Sequence, residues 1–215
     1  MQVISKLLPS KCIVACSGGP DSIALAHWTG YHYTSQQNKN RRLQALIFID
    51  HQTPASTAGK QCVYDLAKKL DVPIGEHILP PKQHCPKKAS LEEWWHHHRR
   101  NIYRSYDMAI LTGHHLDDAV ETALMGYYYG NNRILALKSG NIYRPLILCK
   151  KSQLLNYCQT HRLGFVQDQS NDDIKFLRNA TRTMLYNSSK QITDLLYAKE
   201  KKRINNSLLT FHKTN

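Results

Sequence analysis

The sequence predicts an α/β protein: a doubly wound, mostly parallel, Rossmann-like sheet of five strands, with helices on both faces and a helical C-terminal extension. Three observations predict it. Short apolar runs alternate with segments of helical periodicity. The connections between them are short. Polar residues able to do chemistry cluster directly after three of the apolar runs, where open parallel sheets bind their ligands.

The elements follow in order. "KCIVAC" (11–16) is a buried-type strand ending in Ser-Gly-Gly, and "SIALAHW" then begins a helix. "LQALIFID" (43–50) is a second strand, "STAGKQCVYDLAKKL" (56–70) a helix and "VPIGEHI" (72–78) a third strand. "SLEEWWHHHRRNIYRSY" (90–106) opens with Ser90 and Glu93, a capping-box spacing, and continues as a helix. "MAILT" (108–112) is a fourth strand and "HLDDAVETALMGYYY" (115–129) its helix; "IYRPLIL" (142–148) is the fifth strand, before a helix over 151–163. From Phe176 the chain reads as helical and basic. The expected division is one core domain over residues 1–187 and a basic tail over 188–215. Residues 33–42, 80–88 and 130–141 read as polar or basic surface loops.

Composition narrows the function classes. The 215 residues are 41% hydrophobic and 21% charged, ordinary for a globular domain with a real core. No stretch approaches the run of about 20 apolar residues that spans a bilayer, so no membrane role is expected and a cytoplasmic protein is. Lys and Arg number 29 against 16 Asp and Glu, a net charge of +13. Such an excess favours a polyanionic partner, above all nucleic acid. The six cysteines have no C-x-x-C spacing, which points to free thiols rather than a metal or redox pair.

Three constellations carry chemistry. In "SGGPDS" (17–22), glycines before a helix N-terminus aim backbone N–H groups at a phosphate without a lysine, and the hydroxyls of Ser17 and Ser22 add donors. A merely capped helix start would use the same residues. In "GHHLDDAVET" (113–122), Asp117 and Glu121 are i,i+4 neighbours, and Asp118 and Glu121 are i,i+3. Carboxylates there suit Mg²⁺, which arrives with phosphates, and that explains a carboxylate, Asp21, within a phosphate cradle. An acidic first turn also suits the helix dipole by itself. In "DQSNDDIKFLRNATR" (168–182), Arg178, Asn179 and Arg182 share a helix face suited to phosphate or RNA backbone. A fourth segment, "EEWWHHHRRNIYR" (92–104), offers Arg99 and Arg100 for RNA contact, with Trp94 and Trp95 divided between core and surface.

Taken in order, "SGGPDS", "IDH", "GHHLDDAVET", "YRPLIL" and "DQSNDDIKFLRNATR" resemble the tRNA(Ile)-lysidine synthetases, of the N-type ATP pyrophosphatase (PP-loop) superfamily, whose fold is of the adenine nucleotide alpha hydrolase type. The likeness runs from about residue 11 to about residue 187. It implies a nucleotide-binding domain that uses ATP and Mg²⁺ to adenylate C2 of the wobble cytidine in an isoleucine tRNA with a CAU anticodon. Free L-lysine then displaces AMP. By the same resemblance Ser17, Gly18, Gly19, Pro20, Asp21 and Ser22 hold the pyrophosphate portion of ATP, and Asp50 and His51 lie near the adenosine. Asp21 with Asp117 or Asp118 positions the metal. His115 and Glu121 line the reaction centre or hold the lysine amine. Arg144, Arg178 and Arg182 contact phosphates of ATP or tRNA, beside Asp168, Asn171 and Asn179.

The chain departs from the family in places. "HQTPAST" replaces the G-L-R that follows the second strand, His96 stands where an arginine is usual, and "RRNIY" interrupts an R-Y pair. These departures bear on lysine and RNA contacts more than on ATP. Most relatives carry further C-terminal domains that grip tRNA. A short form is therefore expected to read the anticodon arm, to pair as a homodimer, or to use its basic tail. The alternatives are another tRNA-modifying enzyme of the superfamily, such as a thiolase, or a non-catalytic RNA-binding relative.

Overall fold

A computed structural model describes residues 1–35, 42–167 and 177–211. In chain order these form β1 (Lys11–Ala15), α1 (Pro20–Ser35), β2 (Arg42–Asp50), α2 (Pro54–Leu70), β3 (Ile74–Ile78), α3 (Leu91–Arg104), β4 (Ala109–Leu111), α4 (Leu116–Tyr128), β5 (Lys138–Ser139), β6 (Ile142–Tyr143), α5 (Lys151–Thr160), α6 (Leu177–Asn187) and α7 (Lys190–Phe211). The sheet has six strands in the order β3-β2-β1-β4-β6-β5. All neighbours are parallel except the β5–β6 hairpin.

β1 sits at the centre, and its residues alternate between two cores. Cys12 and Val14 join Leu46, Phe48 and the buried faces of α1, α2 and α5. Ile13 faces the other way, with Ile47, Ile49 and Ile110 beneath Trp95, Ile102 and Tyr103 of α3. Both faces being covered explains why these strands read as continuous apolar runs. A third cluster joins Leu7, Leu116, Ala119, Ile147 and Ile204, so α7 packs back against α4.

The expected fifth strand over 142–148 is corrected. Only Ile142 and Tyr143 pair with β4, and an unforeseen partner, β5, makes the count six. Arg144 N–H donates to Leu137 O at 3.0 Å and Pro145 has no N–H to offer. The backbone then turns, with Cys149 N–H on Leu146 O at 2.7 Å. Two segments read as loops are also partly ordered: Lys82–His84 forms a 3-10 turn and residues 138–139 are β5.

β1 is followed by β2 on one side and by β4 on the other, so the strand order reverses there and opens a crevice at the strands' carboxyl ends. The turn after β1 fits only because glycine faces glycine. Gly18 has φ +85, and a Cβ on it would lie 2.4 Å from Gly59 Cα in α2. A Cβ on Gly59 would lie 2.6 Å from Ser17 O. Gly59→Ala is therefore expected to destabilise the fold by about 1–3 kcal/mol, the usual cost of overpacking. For a domain of this size that lowers Tm by about 2–4 °C per kcal/mol. A thermal melt checks this, and an unchanged Tm would mean the turn can retreat from α2 without cost.

Candidate active site

The site begins with the turn between β1 and α1. Ser22 Oγ accepts from Ser17 N–H at 3.1 Å and donates to Gly19 O at 2.9 Å. Val166 N–H donates to Gly18 O at 2.9 Å. These bonds brace the loop from behind, and Pro20 opens α1, where a missing N–H costs nothing. Ser22 is buried and its hydroxyl is spent inside the loop, so it shapes the cradle rather than supplying the phosphate donor expected of it. Gly113, after β4, approaches Asp21 and Ser22 so closely that a Cβ there would lie 3.0 Å from their backbone.

The N-termini of α1, α4 and α5 converge beside this loop and bring Asp21, His115, Asp117, Asp118 and Lys151 together. His115 is 5% exposed and precedes α4. Its Nε2 lies 3.7 Å from Asp21 Oδ2 and 3.5 Å from Asp118 Oδ2, and its Nδ1 lies 3.3 Å from Asp117 Oδ2. Its backbone N–H donates to Asp118 Oδ2 at 2.9 Å. Burial disfavours charge on the ring, but Asp118, Asp117 and Asp21 outweigh it, so its pKa is raised.

Asp117 is held at both oxygens. Tyr197 of α7 donates to Oδ1 at 2.6 Å, and Lys151 N–H donates to Oδ2 at 2.8 Å. Burial opposes ionisation, yet His115, Tyr197 and the Lys151 N–H overcome it and lower the carboxyl to about 2. Lys151 Nζ also meets Asp21 Oδ2 at 2.5 Å, while Asp21 Oδ1 is buried with no hydrogen-bond partner among the described residues. Glu121 is 2% exposed. Arg182 grips it bidentately, Nε to Oε1 at 2.8 Å and Nη2 to Oε2 at 3.1 Å.

In front of these residues lies a cleft of about 380 Å³. Ser17, Gly19, Asp21, Asp118, His114 and Arg144 line it, with His51, His96, Arg99 and Arg100 opposite in sequence. His114, with Nδ1 at 2.9 Å from Thr112 Oγ1, is the histidine on the wall; His115 lies behind it. Arg99 Nη1 lies 3.2 Å from His51 Nε2, and Trp95 stands edge-on to the same imidazole. Arg144 gives Nη1 to Ala136 O at 2.8 Å, but its Nε is buried without a partner among the described residues. Burial and the neighbouring Arg100 push its pKa down, with Asp118 pulling it back.

The expected site residues thus divide. Gly18, Gly19, Asp21, Asp118, His51, Arg99, Arg100 and Arg144 gather at the cleft or its cradle. Asp117, His115 and Glu121 form the layer behind it. Asp50 accepts Gln52 N–H at 2.7 Å and is not among the lining residues. Asp168 and Asn171 lie outside the described residues, as do the side chains of Arg178 and Asn179. Trp95 packs on the core, and Trp94 is half-buried edge-on to His98. Sequence reading missed Lys151, Tyr197, Gly59 and Thr112. Nothing local marks Lys151 or Tyr197, because their partners lie 130 and 80 residues away, and nothing in the residue type marks Thr112 as the partner of His114.

Among the described residues no group of three or more His, Cys, Asp and Glu side chains is arranged to hold a metal. A cation that keeps its waters and takes one or two carboxylates still fits. Asp21, whose Oδ1 is unpartnered among the described residues, and Asp118 both line the cleft, whereas both oxygens of Asp117 are engaged behind it.

A family profile described as the PP-loop domain matches residues 1–189. The tRNA(Ile)-lysidine synthase of Mycoplasma mycoides subsp. mycoides is 29% identical over 189 residues, 81% of this chain and 45% of that protein. That of Francisella philomiragia is 28% identical over 209 residues, 89% of this chain and 49% of that protein. The chain thus spans less than half the length of these relatives. Among solved structures, the U34-tRNA thiolase NcsA from Methanococcus maripaludis, with its 4Fe–4S cluster, aligns with a TM-score of 0.64 at 14% identity, over 91% of this chain and 72% of that one. That likeness establishes the fold. Within the described residues, no helix is long and apolar enough to cross a membrane.

The buried charge cluster has a pH signature. Asp117 has a lowered pKa, so its contribution is present above the ordinary carboxyl value of 3.8 and is lost as pH falls towards about 2. His115, with a raised pKa, stabilises below about 6.5, and that contribution fades as pH rises through its folded value. Tyr197→Phe is expected to cost about 1.5–3 kcal/mol at pH 7, the worth of a hydrogen bond to an ionised group. Denaturant titrations should show this deficit shrinking between pH 4 and pH 2. An equal deficit at both ends would detach the effect from Asp117.

Proposed function

The chain belongs to the PP-loop family, and from that premise we propose that it is an ATP-dependent tRNA-modifying ligase of the lysidine-forming kind. The observation that carries the reading is a pair of buried, unpartnered polar atoms in one cleft beside a helix N-terminus: Asp21 Oδ1, an acceptor, and Arg144 Nε, a donor. A polyphosphate accompanied by a cation satisfies both. The relatives, tRNA(Ile)-lysidine synthases, suggest the substrate, an isoleucine tRNA.

The turn of Ser17 to Gly19 and the N-terminal amides of α1 cradle the pyrophosphate portion of ATP. Asp21 and Asp118 would hold Mg²⁺, which neutralises charge on the departing pyrophosphate. Arg144, Arg99 and Arg100 bring guanidinium donors to the phosphates. The C2 oxygen of the wobble cytidine attacks the α-phosphorus, and pyrophosphate leaves. The lysine amine then attacks C2, and AMP leaves carrying that oxygen. His114, fixed by Thr112, is placed to take the proton the amine releases. Glu121 and Arg182, locked together behind the cleft, position Asp118 one helical turn away.

A thiolation chemistry like that named for the solved neighbour is the second reading, and the cysteines weigh against it. Burial pushes the Cys16 thiol, beside the cleft, up to about 11 and those of Cys12 and Cys158 up to about 12. A nucleophilic cysteine needs the opposite shift.

The deciding experiment supplies ATP, Mg²⁺, labelled lysine and an isoleucine tRNA with a CAU anticodon, and counts label in the RNA. Incorporation is expected to require ATP and the wobble cytidine. Asp21→Asn is expected to slow pyrophosphate release by at least about 100-fold, while tRNA affinity changes less than threefold. Pyrophosphate release without label would keep the activation step and remove lysine as the nucleophile. Normal release by the variant would remove Asp21 from the site.

A further inference from the structure

The C-terminus of α4 carries three consecutive exposed tyrosines, of which Tyr127 accepts from Lys199 Nζ of α7 at 2.6 Å. Tyr127, Tyr128 and Tyr129 are 59%, 75% and 55% exposed, with Ile134 exposed beside them. Tyrosines on a soluble surface ordinarily bury most of the ring.

They stand on a rigid base. Asn131 N–H donates to Gly126 O at 2.8 Å and Gly130 N–H to Tyr127 O at 3.2 Å, with Gly130 at φ +63. This is the Schellman pattern that ends a helix sharply. Gly126 lets the following strand of chain fold onto the helix end: a Cβ there would lie 2.8 Å from Asn131 O and 2.9 Å from Arg133 N. Arg203 Nη2 on Leu135 O, at 3.3 Å, ties the segment to α7.

Cations stand beside the rings. Arg133 lies over Tyr129 at 5.6 Å, and Lys199 over Tyr127 at 4.8 Å. Lys202, one helical turn beyond Lys199, is exposed on the same side of α7. No acidic residue occurs between Glu121 and Asp168, while that stretch holds Arg133, Lys138, Arg144, Lys150, Lys151 and Arg162. Tyr128 and Tyr129 stand edge to face, with centroids 5.3 Å apart and planes at 82°, so each can offer a ring face to a separate base. This ledge of exposed rings within a cationic field has the composition of a surface that stacks unpaired bases while holding their phosphates.

The ledge is also in reach of the cleft. Asp118 and Tyr128 are ten helical residues apart, about 15 Å. That equals about four nucleotides stacked at ~3.4 Å each. Ser139 of β5, which lines the cleft, is joined to the ledge by residues 130–138.

We propose that Tyr128 and Tyr129, flanked by Arg133 and Lys199, are a base-stacking platform for unpaired nucleotides of the RNA whose reactive base enters the cleft. The proposal rests on the tRNA-modifying reading. It adds to that reading the surface that takes the neighbouring loop nucleotides.

The test measures binding of a fluorescent anticodon stem–loop RNA to the full chain, wild type against the Tyr128→Ala/Tyr129→Ala double variant, by anisotropy at matched salt over a series of concentrations. Affinity is expected to fall at least tenfold, the loss of about one stacked base or more. The double Phe variant should bind within twofold of wild type, because the rings and not the hydroxyls stack. Arg133→Gln should weaken binding and reduce the salt dependence by about one phosphate contact. ATP binding and Tm, unchanged in all variants, show that the exposed substitutions leave the fold intact. A double Ala variant that binds RNA within twofold of wild type overturns the platform and leaves the tRNA-modifying reading standing. Wild-type protein that binds no RNA even at low salt overturns both. A dimer that the Ala substitutions dissolve, with RNA affinity unchanged, assigns the ledge to a second copy of the chain and also overturns the proposal.

Discussion

Three carboxylates converge on one buried imidazole, and the arrangement of the site depends on that charge balance. Asp21, Asp117 and Asp118 come from the first turns of two helices, and His115 lies within 4 Å of all three. Three bare carboxylates at that spacing would repel strongly in a half-buried setting. The imidazole, the Lys151 ammonium on Asp21, the Tyr197 hydroxyl and the positive ends of three helices make the cluster tolerable. The result also spans the chain. One small network joins α1, α4, α5 and α7, so the C-terminal helix is part of what holds the site's carboxylates in place.

The cradle shows the same economy. Ser22 uses its hydroxyl to close the loop, and the Gly18–Gly59 contact sets the loop against α2. Preorganisation of this kind aims backbone donors before any ligand arrives, which is where electrostatic catalysis gains most. Two polar atoms of the cleft lining, Asp21 Oδ1 and Arg144 Nε, are buried and unpartnered among the described residues. Each costs free energy in the empty site, and each would be repaid by a ligand of opposite character. Thr112, also in the lining, has its hydroxyl bonded within the protein, to His114 Nδ1 at 2.9 Å.

The charge excess is not spread evenly along the sequence. Four acidic side chains, Asp21, Asp117, Asp118 and Glu121, gather at the site, and none occurs between Glu121 and Asp168. From that acid-free stretch Ser139, Ile142 and Arg144 line the cleft.

Much was legible in the sequence. Alternating apolar runs set the α/β class, because strands buried on both faces must be apolar throughout. "SGGPDS" and "HHLDD" marked the tight turn after β1 and the acidic start of α4, because a glycine pair and adjacent acids are visible in the string, although helix capping uses the same residue types. What the sequence alone could not settle was which atoms remain available. Asp117 and Asp118 are adjacent and chemically identical, yet Tyr197 and the Lys151 N–H occupy one while the other lines the cleft. His114 and His115 are adjacent too, and the turn between β4 and α4 decides that His114 lines the cleft while His115 caps the helix behind it. The strand over 142–148 shortened to two residues because Pro145 ends the ladder and Arg144 N–H turns to Leu137 O, just before β5. Periodicity and residue type are local and survive in a linear string. Which hydrogen bonds are already satisfied depends on partners brought from as far as 130 residues away, and only the folded chain brings them there.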